Sequence, residues 1–212
     1  MNYCIVPARK DSKRLPRKNL RRIRGRTLID IALSSALSSS LFDRVILTTN
    51  IPEMLLKYKY HDSISIHERN KALCKDVSQS SEFVRDIIDS FDLQNEDTIF
   101  IMQPTSPLRR VIDIINAMKH YRSVNMPVLS LSKAGESSKI FSIEDDNTPV
   151  NTGKDIYIQD GAVYIFSVNM FKENGRIPQE EFSPYIMEYP FNIDIDNYRD
   201  LLLSRIFSAD FT

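Results

Sequence analysis

The sequence predicts a doubly wound α/β fold with a mostly parallel sheet, and three observations carry that expectation. Short apolar runs alternate with stretches of helical period along the first 132 residues, the pattern of strand–helix–strand units. The runs are almost continuously apolar, as in strands covered on both faces. The first and fourth runs each empty into a polar loop, where open α/β sheets hold their ligands. At 212 residues, 42% hydrophobic and 26% charged, the chain is expected to form one domain, residues 1–212, with an excursion at about 133–158.

Tyr3–Val6 is the first strand and leads into a basic loop. Leu28, Ile29, Ala32, Ala36 and Leu37 recur at helical spacing and predict a helix from about Thr27 to Ser39. Arg44–Thr49 is the second strand, after which Asn50 is expected to cap a helix that has Pro52 in its first turn. Ser63–His67 is the third strand. Asp76–Gln79 has the form of a cap, and the helix it opens would bury Phe83, Val84, Ile87, Ile88 and Phe91. Thr98–Met102 is the central strand. Ser106 and Pro107 are expected to start the helix carrying Val111, Ile114, Ile115 and Met118, and Pro127–Ser132 is a fifth strand.

After Lys133 the rhythm breaks. Ser138–Glu144 and Asp155–Ile158 are expected as short strands around a polar, turn-rich piece, and Gly161–Phe166 returns to core-like sequence. Tyr185, Met187 and Tyr189 alternate as packing residues of a strand. Pro190–Asp196 is predicted as another strand, followed by a helix burying Leu202, Leu203 and Ile206.

Composition excludes several classes. No apolar window is long enough to cross a bilayer and no signal-peptide run opens the chain, so a cytoplasmic protein is expected, with no membrane partner. Cys4 and Cys74 form neither a metal-ligand spacing nor a disulfide framework. The net charge is zero, yet residues 9–26 hold ten Lys or Arg against one acid. Those cations sit in one loop without interleaved aromatics, which points away from nucleic acid and toward a compact polyphosphate. His61, His67 and His120 stand apart from every motif and read as ordinary surface or core residues.

Two constellations carry chemistry. In the loop from Arg9 to Asn19, side chains must dominate over backbone dipoles. A helix terminus contributes roughly 0.3–1 kcal/mol to an anion, whereas a unit charge about 4 Å away contributes on the order of 4 kcal/mol at intermediate dielectric. Asp194 and Asp196, two apart on an expected strand, would project together and share a divalent ion.

Pro7-Ala8-Arg9, Ser12-Lys13, Lys18-Asn19, Gln103-Pro104-Thr105-Ser106-Pro107-Leu108-Arg109, Gly161-Ala162-Val163-Tyr164-Ile165 and Asp194-Ile195-Asp196 together resemble the motifs of the acylneuraminate cytidylyltransferase (CMP-sialic acid synthetase) family. The resemblance implies a Rossmann-like nucleotidyltransferase fold with a dimerisation excursion. It implies transfer of CMP from CTP to a 2-keto sugar acid for surface glycan synthesis, with release of pyrophosphate. Arg9, Ser12, Lys13, Asn19, Arg69 and Ser80 would hold CTP, with Arg9 and Lys18 acting in catalysis. Gln103 and Arg109 would face the anionic sugar acid, and Asp194 and Asp196 would bind Mg²⁺. A homodimer is the expected assembly. The sequence departs from the family pattern at Arg14, Asn50, Gln79 and Asp160, and the arginine-bearing segment expected near Val150–Lys154 is poorly matched. The same fold with another nucleotide or a non-sugar acid acceptor, or a non-catalytic nucleotide-binding protein, stands as the alternative.

Overall fold

The first seven-residue run, β1 (Asn2–Ala8), is a strand because it can be enclosed on both sides. Cys4, Val6 and Ala8 face one layer, and Tyr3 and Ile5 face the other. The computed structural model describes residues 1–69, 80–134, 141–143, 148–151 and 153–209. After the basic loop come a small hairpin, β2 (Arg22–Ile23) and β3 (Arg26–Thr27), then α1 (Leu28–Ser38), β4 (Arg44–Thr49), α2 (Pro52–Tyr58), β5 (Ile64–Glu68) and α3 (Ser80–Ser90). The chain continues through β6 (Thr98–Ile101), α4 (Val111–Ser123), β7 (Val128–Lys133), β8 (Phe141–Ile143) and β9 (Pro149–Asn151). It closes with β10 (Tyr157–Ser167), α5 (Val168–Asn174), β11 (Ser183–Ile186) and α6 (Tyr198–Phe207).

Seven strands make one sheet in the order β11-β7-β10-β6-β1-β4-β5. β1 runs parallel to both β4 and β6, β4 to β5, and β7 to β11, while β10 alone runs antiparallel to its neighbours β6 and β7. Helices α1, α2 and α4 cover one face, burying Ile29, Leu33, Met54, Ile114 and Met118 against Cys4, Val6 and Phe100. Helices α3 and α5 cover the other, with Phe83, Ile87, Val168 and Phe171 against Tyr3, Ile5 and Ile99. This is the doubly wound, mostly parallel sheet that the alternating pattern predicts. The start of β1 is pinned by the Met1 amino group, 2.6 Å from the buried carboxylate of Asp97.

The boundaries differ from expectation where tertiary contacts override local signals. Asn50 does not cap α2, because its Oδ1 accepts the Lys10 N–H at 2.7 Å, and Ile51 is the capping residue instead. Helix α4 starts at Val111 and not at Pro107. There the Arg110 N–H and Nε both donate to Asp113, at 2.9 and 3.0 Å, and residues 104–109 remain a turn. β9 lies in the piece expected as turns, where it pairs antiparallel with β8. The strand expected at Asp155–Ile158 is the start of β10. The cap expected at 76–79, and Cys74, lie outside the described residues.

Pro190–Asp196 is not a strand. The segment turns after a cis Tyr189–Pro190 bond, and Ile195 N–H reaches the Thr105 carbonyl at 2.8 Å. Helix α6 is also rotated from expectation. Its capping box at Asn197 and Asp200 fixes the phase so that Leu201 packs against Leu15, Ile23, Leu28 and Ile195, while Leu202 is 42% and Ile206 62% exposed. Leu201→Ala is therefore expected to cost about 2–5 kcal/mol, and Leu202→Ala less than about 1 kcal/mol. Urea unfolding of the two variants checks this, and equal losses would contradict the observed phase.

Candidate active site

A cavity of about 550 Å³ opens beyond the carboxyl ends of β1 and β6, the crevice expected for this sheet. The loop after β1 supplies Arg9, Asp11, Ser12, Lys13, Arg14, Lys18 and Asn19 to its lining. The loop after β6 supplies Gln103, Pro104 and Thr105, β10 supplies Tyr164, and Arg69 and Phe83 close the third side with Ile177 and Gln179.

The basic loop is held from both ends. Leu15 anchors it in the cluster with Ile23, Leu28, Ile195 and Leu201, and the buried Asn19 donates Nδ2–H to the Arg9 carbonyl at 2.9 Å. Arg17 takes a left-handed turn (φ 54°) into a single helical turn, Lys18–Leu20. That turn withdraws Lys18 until its side chain is only 17% exposed, with Nζ 3.1 Å from Asp196 Oδ1. Arg14 meets the other oxygen of Asp196 at 2.7 Å. Arg17 points outward to Glu53, at 2.7 Å.

Asp194 and Asp196 reach this place from an irregular segment, so they are not brought together by strand alternation. Asp196 faces the two cations. Asp194 sits behind Thr105, and burial pushes its carboxyl up to about 6, against opposing help from the Thr105 hydrogen bond and Lys18. Its Oδ1 is enclosed without a hydrogen-bond partner, an unsatisfied acceptor of the kind that a hard cation fills. No group of three or more His, Cys, Asp or Glu gathers among the described residues. Two carboxylates suffice for Mg²⁺, which keeps water or substrate phosphates as its remaining ligands. The donor set therefore fits such an ion.

The opposite wall is built on a buried charge. Arg109, expected to face an acceptor, is instead 4% exposed and outside the cavity lining, its Nη1 donating to the Ala162 carbonyl at 2.6 Å and to the Gln103 carbonyl at 3.4 Å. It braces the loop after β6 against the middle of β10, and burial lowers its pKa to about 10. Asp160, also buried, accepts from the Ser130 hydroxyl and, at 3.0 Å, from the Ala162 N–H, and burial raises its carboxyl. Gly161 between them has φ +71°, and a Cβ there would lie 3.1 Å from Gln103 Oε1, so only glycine lets the strand pass this side chain. Gln103 Nε2 donates to the Tyr164 hydroxyl at 3.3 Å, and the Thr105 hydroxyl donates to Gln103 Oε1 at 3.4 Å.

On the third side, Arg69 is 7% exposed and its guanidinium lies 4.5 Å from the centre of the Phe83 ring. Ser80 opens α3, and its side chain lies outside the described residues. Of the residues singled out from the sequence, Arg9, Ser12, Lys13, Lys18, Asn19, Arg69 and Gln103 line the cavity, Asp194 and Asp196 adjoin it through Thr105 and Lys18, and Arg109 supports it from behind. Thr105 and Tyr164 lie within motifs singled out from the sequence but had no role assigned, and sequence reasoning missed Phe83 and Gln179. Phe83 sits in an apolar pattern that signals only core, and nothing local marks Gln179.

Residues 3–211 match the family model described as Cytidylyltransferase. The chain is 26% identical over 213 residues to the N-acylneuraminate cytidylyltransferase of Streptococcus agalactiae serotype V, covering 94% of this chain and 51% of that protein. It is 24% identical to the pseudaminic acid cytidylyltransferase of Campylobacter jejuni serotype O:2, covering 97% and 95%, and 27% identical to the CMP-N,N'-diacetyllegionaminic acid synthase of Legionella pneumophila, covering 95% and 94%. The chain thus spans about half the length of the streptococcal relative and nearly all of the other two. Among solved structures, a CMP:2-keto-3-deoxy-manno-octonic acid synthetase complexed with CTP superposes with TM-score 0.71 at 14% identity, over 100% of this chain and 99% of that one. A 4-diphosphocytidyl-2C-methyl-D-erythritol synthase from Anaerococcus prevotii gives 0.68 at 15%, over 98% and 96%. At these identities the structural likeness concerns the fold.

The raised Asp194 carboxyl fixes the sign of a pH effect. A folded pKa of about 6 above the ordinary 3.8 means that Asp194's own contribution favours the folded state fully below about pH 4 and is lost as the pH rises through 6, by on the order of 3 kcal/mol. Asp194→Asn is expected to remove that decline and to raise the urea midpoint at pH 7.5. A parent-like pH profile in the variant would mean that burial does not set this group.

Proposed function

Because the chain belongs to the cytidylyltransferase family, we propose that it transfers CMP from CTP to the anomeric hydroxyl of a 2-keto sugar acid of the nonulosonate kind, releasing pyrophosphate. The observation that carries this reading is the meeting of the cation loop and the acid segment over one cavity, with Lys18 Nζ 3.1 Å from Asp196. A polyphosphate needs the first and its divalent counter-ion the second. The names of the relatives, which act on sialic, pseudaminic and legionaminic acids, supply the acceptor class.

In this reading the acceptor hydroxyl attacks the α-phosphorus of CTP, and the bond to the pyrophosphate oxygen breaks. Arg9, Ser12, Lys13 and Asn19 bind the triphosphate and fix its line of approach, since phosphoryl-type transfer depends mainly on positioning and charge neutralisation. Lys18, withdrawn from solvent, balances charge on the nonbridging oxygens where the effective dielectric is low. Arg69 and Phe83 flank the nucleotide end of the cavity, and Gln103, held by Thr105 and Tyr164, presents an amide to the sugar acid. Asp194 and Asp196 would hold Mg²⁺, which when bound supplies charge neutralisation and a lowered pKa for a coordinated hydroxyl.

A second copy of the chain is the partner this reading favours, through the excursion that contains β8 and β9. Val150, Ile156, Tyr157 and Ile158 there are 43%, 38%, 42% and 54% exposed, apolar side chains that a second copy could cover. No helix among the described residues is long and apolar enough to cross a membrane, and a reaction that consumes CTP belongs in the cytoplasm.

Incubation with CTP, Mg²⁺ and a panel of sialic, pseudaminic and legionaminic-type acids is expected to release pyrophosphate with at least one of them. Silence across the panel, with no CTP binding, would remove the proposal. Lys18→Ala is expected to lower kcat by about 10²–10³-fold while leaving the thermal midpoint near that of the parent. Asp196→Asn is expected to raise the Mg²⁺ concentration needed for half-maximal rate, and an unchanged metal requirement would place the ion elsewhere.

A further inference from the structure

We propose that the side-chain sequence Asp86–His67–Thr48, running from the surface to the cavity, is the positioning device of Arg69, so that His67 and Thr48 set nucleotide affinity without touching the nucleotide. The inference rests on the reading of the cavity as a CTP site.

Three contacts make the chain. Asp86 Oδ2 lies 3.1 Å from His67 Nε2, His67 Nδ1 lies 2.9 Å from Thr48 Oγ1, and Arg69 Nε donates to the same Thr48 oxygen at 3.5 Å. Their direction follows from what each group can offer. An ionised Asp86 only accepts, so His67 carries its proton on Nε2. A neutral imidazole then accepts at Nδ1, so Thr48 must donate its hydroxyl proton there. That leaves the Thr48 lone pairs for Arg69, and every donor points away from the cavity toward Asp86. Burial supports the neutral ring, because it lowers the pKa of His67 against the pull of Asp86, and Arg69 adds to the lowering. Thr48 is fully buried and His67 is 7% exposed, so the Thr48–His67 bond is shielded from water, while Asp86 at the outer end is half-exposed.

Helix α3 grips the same guanidinium twice. Phe83 stacks on Arg69 directly at 4.5 Å, and Asp86, one turn later on the same helix, holds His67. The Arg69 N–H is fixed by the Thr49 carbonyl at 2.9 Å. The long 3.5 Å contact from Nε is the joint that the rest of the chain aims.

The test is calorimetric titration of CTP with Mg²⁺, paired with kcat at saturating CTP. Thr48→Val and His67→Leu are expected to weaken CTP binding about tenfold, as when a charged donor loses its partner, with kcat within about twofold of the parent. Thr48→Ser, which keeps the hydroxyl, is expected to bind like the parent. Asp86→Asn, at the exposed end of the chain and safe for folding, is expected to show a smaller loss in the same direction. In an Arg69→Met background, Thr48→Val is expected to add nothing. Parent-like affinity in Thr48→Val with only a lower melting temperature, a loss in kcat in place of affinity, or a full additional loss in the Arg69→Met background would each overturn the inference. Failure of the parent itself to bind CTP would overturn the reading of the cavity beneath it.

Discussion

Six cations within residues 9–18 repel one another, and the arrangement of the molecule around the cavity follows from how that repulsion is met. The answer is not local. Lys18 and Arg14 are met by Asp196, from the far end of the chain, at 3.1 and 2.7 Å, and Arg17 is met by Glu53. The exposed Arg14 contact contributes little by itself, as surface ion pairs do. The Lys18 contact is more sheltered, and it ties the start of the chain to a segment that has no strand pairing of its own. Ile195 between the two acids packs with Leu15 of the basic loop, so an apolar contact supports the same junction that the charges make.

The opposite wall follows a different rule. Arg109 and Asp160 are charged groups deep in the protein, each given carbonyl, amide or hydroxyl partners. A lone charge in such a place is prohibitive. What this expenditure secures is the shape of a corner, where Gly161 passes so near Gln103 that an added Cβ would lie 3.1 Å from its Oε1 and crowd the side chain. The cavity therefore has a cationic side and an amide-and-hydroxyl side.

Much of the fold was legible because parallel strands buried on both faces leave uninterrupted apolar runs, and because Leu28, Ile29, Ala32 and Ala36 recur at helical spacing on the buried side of α1. The misreadings share a cause. The Asp194-Ile195-Asp196 alternation imitates a strand, yet the segment has only the Thr105 carbonyl to pair with. Leu202 and Leu201 are indistinguishable by type, and only the cap at Asn197 sets which one turns inward. Arg109 ends a proline-containing motif and reads as a cation facing an acceptor, whereas tertiary packing seals it behind the cavity wall. His67 shows no motif because its partners come from β4 and α3, elements separate in sequence from its own strand. The cations of the site were legible from their density. The groups that orient them were not, since orientation is a property of contacts between elements.

Among the described strands β10 is the one antiparallel member of the sheet, and it is eleven residues long where its neighbour β6 has four. One end is clamped between β6 and β7 in the core, the middle carries Gly161 and Tyr164 past Gln103, and the other end, Tyr157–Gln159, pairs with β7 alone. Its register against β7 breaks between Gln159 and Tyr164, around Gly161 at φ +71°. The corner formed by Gln103 and Tyr164 therefore lies at an interruption whose two flanks are each hydrogen-bonded to β7, so its shape is fixed by pairing on both sides and not by a continuous strand.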